Sequence, residues 1–276
     1  TAFTSITNSG TLSLNNTANL SGNLDVAGGS VTLNGDLTVS GAITNAGTIA
    51  VGGNALTGAS IGGAGTVTID DTGSISAAGT ITTLTVSAGT ATLNGTGGGL
   101  VVGGDPGGAI QTSGTVTLNG TAFTSITNSG TLSLNNTATL SGNLDVAGGT
   151  LTHGANLTVN GDLTLTGTLS SGTNAITIDG TTTGAGAWTA GAGTVTVGGN
   201  FGATAFSQVG GTLLLNGTTA AFDPGGPLSS LELGAGADVT LSDDITLNGN
   251  LTVGGTFSTG TNAITIDGTT TGAGAW

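Results

Sequence analysis

Val31–Val39 reads VTLNGDLTV, and its interpretation decides the fold. Val31, Leu33, Leu37 and Val39 alternate with Thr and other polar residues, the period-two pattern of a half-buried strand. Asn34-Gly35 between two such runs is the strongest short signal for a β-hairpin. The same dipeptide also serves as a left-handed corner joining two sides of a parallel coil, with Asn side chains of successive coils stacked in ladders. Leu157–Leu165 and Ile245–Val253 repeat the arrangement.

The surroundings choose between the two readings. A phrase of Thr or Ser alternating with apolar residues recurs as TLSL at Thr11, SVTL at Ser30, TIAV at Thr48, TVTI at Thr66, TATL at Thr90 and TVTL at Thr115. It continues as TLSL at Thr131, TLTH at Thr150, AITI at Ala175, TVTV at Thr194 and TLLL at Thr212. Successive phrases lie from 16 to 25 residues apart. Weaker phrases fall between them, at Leu24–Val26, Leu37–Val39, Leu84–Val86 and Leu163–Leu165. An antiparallel meander does not explain a recurrence of about 20 residues; a solenoid does. The expectation is therefore an all-β, parallel β-solenoid (β-helix) with irregular coils of about 20 residues, running as one continuous domain over residues 1–276. Coils stack at the strand spacing of about 4.8 Å. The narrow interior is expected to fill with Val, Leu, Ile and Ala, and Gly-Gly, Asn-Gly and Ser-Gly are expected to supply positive φ at corners.

Composition agrees. Of 276 residues, 56 are Gly, about three times the usual share. Thr is about as frequent. At roughly 1 kcal/mol each against Ala, so many Gly disfavour helix. There is no Cys, Met, Tyr, Lys or Arg, and 14 acids give a net charge of −14. A chain without cations cannot neutralise phosphates, so nucleic-acid binding is excluded, as is attraction to anionic membranes. No P-loop, thiolate zinc site, disulfide or lysine crosslink can be built. No apolar run approaches the ~20 residues of a membrane span.

Two segments are duplicated. Thr1–Gly29 recurs at Thr121–Gly149 with one change, Asn19 against Thr139, and Gly172–Trp188 recurs unchanged at Gly260–Trp276. Such fidelity reads as duplication within the gene. With no initiator Met and no signal-peptide pattern, the sequence reads as a processed product or a piece of a longer repeat array.

Segments such as SGTLSLNNTATLSGNLDVAGGTLT (Ser129–Thr152) and GANLTVNGDLTLTGTL (Gly154–Leu169) resemble the β-solenoid repeats of filamentous haemagglutinin-type exoproteins and autotransporter passengers. The resemblance implies a bacterial extracellular location and a mechanical or adhesive role. It implies a rigid filament or adhesin stalk. The unpaired strand edges of an open solenoid add the expectation of partners of its own kind, by end-to-end stacking or as one long chain, with lateral fibre contacts.

Candidate sites are few. The acids are Asp25, Asp36, Asp70, Asp71, Asp105, Asp145, Asp162, Asp179, Asp223, Asp238, Asp243, Asp244, Asp267 and Glu232. Most fall at strand ends and turns, where Asp caps backbone amides. Calcium is the one cofactor they could take, through pairs such as Asp70–Asp71 or Asp243–Asp244 with carbonyls; the GGxGxD calcium pattern is not met at Gly62–Val67. No catalytic residue is assigned: a glycosidase needs two carboxylates at a set separation, and the acids are dispersed, with Glu232 read as a surface strand residue. His153, the only His, has no evident partner and is read as structural. Trp188 and Trp276, in identical GAGAW phrases, are read as corner or end-packing residues rather than sugar platforms. Thr-x-Thr triplets at Thr66–Thr68, Thr90–Thr92, Thr115–Thr117 and Thr194–Thr196 leave a glycan- or ice-binding module as the alternative function. Asn-x-Ser/Thr sequons at Asn15, Asn94, Asn119, Asn135, Asn156, Asn216 and Asn250 occur at the rate this composition dictates.

Overall fold

A computed structural model describes residues 2–86, 90–102 and 108–276. Among the described residues there is no helix, and every strand pairing is parallel. The chain divides into two compact units, Thr1–Asn136 and Thr137–Trp276. Each is a parallel β-solenoid, and together they hold about 14 turns.

The segment Val31–Val39 is a corner. Val31 pairs with Leu12 one turn before and Ile49 one turn after, and Leu37 pairs with Ala18 and Leu56 in the same way. The two halves lie on different sides of the coil and do not pair with each other. One expectation fails here. Gly35 does not adopt positive φ, whereas Gly28 in the Gly28-Gly29 corner does, at 85°. Glycine is needed at position 35 for closeness: a Cβ there would lie 2.6 Å from the backbone nitrogen of Thr17 and 2.7 Å from the carbonyl carbon of Asn16.

A turn of the first unit has three sides. One carries Ala18–Leu20 beneath Leu37–Val39 and Leu56–Gly58. The second stacks Leu24, Ile43, Ile61, Gly79, Leu100, Val116 and Leu132. The third stacks Thr11–Leu14, Ser30–Leu33, Thr48–Ala50, Thr66–Ile69 and Thr83–Val86. In the second unit, Ala138, Leu157, Ile176, Val195, Leu213, Leu231, Leu251 and Thr270 form one side. Successive partners are 16 to 21 residues apart in the first unit and 18 to 20 in the second. The 24- and 25-residue gaps between phrases are therefore not long turns. TVTI at Thr66 is on the third side, while TATL at Thr90 stacks on Gly73–Ile81 and TVTL at Thr115 on Leu100–Val102. The phrase changes side.

The duplicated segments do the same. Ile176–Ile178 of the first GTNAITIDG copy pairs with Leu157–Val159, whereas Ile264–Ile266 of the second pairs with Ile245–Leu247. In the second copy Thr270–Thr271 occupies the side that Ile176 occupies in the first. Thr11–Leu14 and its copy Thr131–Leu134 likewise lie on different sides of the first unit.

The interior is Leu, Val, Ile and Ala, buried at alternate strand positions. The second unit adds large aromatics to the expected Val, Leu, Ile and Ala. Trp188, Phe201, Phe206 and Phe222 are buried together, with Trp188–Phe206 centroids at 5.1 Å and Phe201–Phe222 at 5.6 Å, edge to face. Each aromatic pair of this geometry is worth about 0.5–1.5 kcal/mol beyond its burial.

Candidate functional site

Several acids and amides at the corners share one arrangement. A side-chain oxygen on one turn accepts the backbone N–H of the residue about 19 positions later, directly above it. Asn23 Oδ1 takes Ala42 N at 3.0 Å, Asp36 takes Ala55 N at 2.9 Å, and Asn156 takes Ala175 N at 3.1 Å. The caps also run in series. Asn143 takes the N–H of Asp162 at 2.9 Å, and Asp162 takes that of Thr181 at 2.8 Å. Ser230 Oγ takes Asn250 N at 3.1 Å, and Asn250 takes Thr269 N at 2.9 Å. Asp244 caps Ala263 N at 2.7 Å. Each cap satisfies an amide that the side's own ladder leaves free. The expected Asn ladders occur as pairs, Asn34 donating to Asn15 at 2.9 Å and Asn135 to Asn119 at 3.0 Å.

One member of each carboxylate pair named for calcium is engaged locally. Asp71 Oδ1 accepts Thr72 N at 2.7 Å, and Asp243 Oδ1 accepts Asp244 N at 2.8 Å. A groove of about 450 Å³ runs between Asp223–Pro227 and Asp243–Thr246. In it Asp223 Oδ1 accepts Gly225 N at 2.8 Å. Among the described residues no three acids or histidines converge in a metal-holding geometry. Asp105 lies outside the described residues. Glu232 is exposed, on the outer face of its strand between buried Leu231 and Leu233.

His153 is buried, with Nδ1 at 2.7 Å from the Ala155 carbonyl and Nε2 unpartnered. Burial holds its pKa below the ordinary imidazole value, against the opposing pull of the Ala155 hydrogen bond. Trp188 is fully buried and donates from Nε1 to Ser171 Oγ at 3.1 Å, so it offers no face to a sugar. It packs within the core rather than at a corner. Trp276 is 61% exposed and meets Phe257 edge to face at 5.8 Å.

The four Thr-x-Thr triplets do not share a face. Thr66–Thr68 alone lies on the third side of the first unit, but there it joins a wider array. Thr11 and Ser13, Ser30 and Thr32, Thr48 and Ala50, Thr66 and Thr68, and Thr83 and Thr85 stack in register without a bulge. Nine of these ten outward positions carry a hydroxyl, and none carries a charge. A search restricted to Thr-x-Thr misses this array because Ser and Ala substitute within it. The signal was the repeated phrase itself. Gln208 was also missed, although alternation places it inward beside Phe206. No family model, no curated protein and no solved structure matches this chain.

Proposed function

We propose that this protein is a non-enzymatic, extracellular structural β-solenoid that forms a rigid filament or the stalk of a bacterial surface adhesin, of the filamentous haemagglutinin and autotransporter-passenger kind. The carrying observation is the set of inter-turn caps. The corner side chains hold each turn to the next, in series with the backbone ladder, and need no counter-charge. Each such hydrogen bond contributes about 1 kcal/mol net, and an array sums many. Its partners are other copies of itself, stacked end to end or joined in one chain, with lateral contacts between fibres. Electron microscopy of the native protein is the test: unbranched filaments with an axial repeat near the strand spacing are expected, and dispersed compact particles would sink the reading.

The hydroxyl array supports a second reading, recognition of glycan or ice on the third side of the first unit. It predicts glycan-array or ice-recrystallisation activity that Thr48→Lys and Thr68→Lys abolish without unfolding the chain. Equal activity in wild type and variants would remove it.

A further inference from the structure

One inward column of the second unit is polar. Thr152 pairs with Ser170, Gly172 with Ala190, and Ala190 with Gln208, so His153, Ser171, Ala190 and Gln208 follow one another inside successive turns. His153 and Gln208 are 2% and 5% exposed. Ser171 is satisfied by Trp188, but neither amide atom of Gln208 and not Nε2 of His153 has a partner.

The imidazole chemistry follows from one contact. The Ala155 carbonyl only accepts, so Nδ1 carries the proton and Nε2 is a bare, buried lone pair. A second proton would put a charge and an unmet N–H where nothing receives them, and burying an unpaired charge is costly. Among the described residues no carboxylate offsets this burial. Leu157–Val159, Leu163–Leu165 and Thr168–Gly172 contain no titratable residue. Asp145 stands between buried Leu144 and Val146 on the outer face of its strand, and exposed Asp162 is engaged with Thr181.

We infer that His153 is an acid-sensitive latch: when Nε2 takes a proton, the strand Thr150–His153 leaves the stack and the second unit opens there. The lowered pKa fixes the sign. The unfolded chain binds the proton more readily, so the latch is closed above about pH 6.5 and loses stability as pH falls below it. This inference does not depend on the filament reading.

The test compares the full-length chain with His153→Leu, the residue that Leu14 and Leu33 provide in equivalent phrases, and with Gln208→Leu. Thermal midpoints are followed by circular dichroism from pH 8 to pH 5. The wild-type midpoint is expected to fall by several degrees relative to His153→Leu over that range. Gln208→Leu, which removes an unpartnered amide without a titrating group, is expected to differ from wild type by a pH-independent offset. Hydrogen exchange at pH 5 should quicken over residues 150–153 and 168–172 in wild type and not in His153→Leu. Parallel midpoints for wild type and His153→Leu would overturn the latch. If His153→Leu does not fold, NMR of the labelled wild-type ring decides: an Nδ1–H tautomer titrating below 6.5 is expected, and a midpoint at or above 6.5 overturns it.

Discussion

Asp162 shows what the capping acids Asp36, Asp162 and Asp244 do. Its Oδ1 accepts both the backbone N–H and the Oγ1 hydroxyl of Thr181, at 2.8 and 3.1 Å. Asn250 makes the same two bonds to Thr269, at 2.9 and 3.0 Å. The acceptor geometry, and not the charge, is what the corner requires. Asp162→Asn should therefore leave stability within about 0.5 kcal/mol of wild type, while Asp162→Ala should cost about 1 kcal/mol in urea unfolding. A large loss in the Asn variant would mean that the carboxylate has a second task. That acids sit at turns was legible in the sequence. Their reach to the turn above was not, because it depends on a register of 19 residues that the phrase spacing blurs.

At the scale of the strand and its corner, alternation in phrases such as TLSL and TVTI correctly places Leu, Val and Ile inward and Thr and Ser outward. The choice of parallel pairing for Val31–Val39 was also readable, since recurrence outweighed the local hairpin signal. Two things were not. Corner geometry is set by the turn beneath, so Asn34-Gly35 could not be assigned from its own residues. The interior at Trp188, Phe201 and Phe206 was hidden because Trp188 precedes both Phe by most of a turn or more and meets them only on stacking. Glycines provide the check. Gly35→Ala places a methyl against the backbone of Asn16 and Thr17 and should destabilise by about 1–3 kcal/mol. Gly10→Ala, with open space and no positive φ, should be neutral or slightly stabilising. Equal effects at the two sites would refute the account of the corner.

Over the whole chain, 14 negative charges face no Lys or Arg. Their mutual repulsion is lowered by any salt, since the Debye length falls to about 10 Å at 0.1 M. Sodium chloride should raise the thermal midpoint between low and physiological ionic strength. Calcium at matched ionic strength should add nothing further, because Asp71, Asp243 and Asp244 already accept backbone amides. A calcium-specific rise would revive a metal site at those acids. Different sides of a turn accept the same phrase, as the identical 17-residue segments beginning at Gly172 and Gly260 show by landing on different sides of the second unit. Unequal crossing-over in the gene is thus freed from any rule of whole circuits. A splice that moves a segment by one side should therefore still wind, so alleles need not differ in length by whole coils.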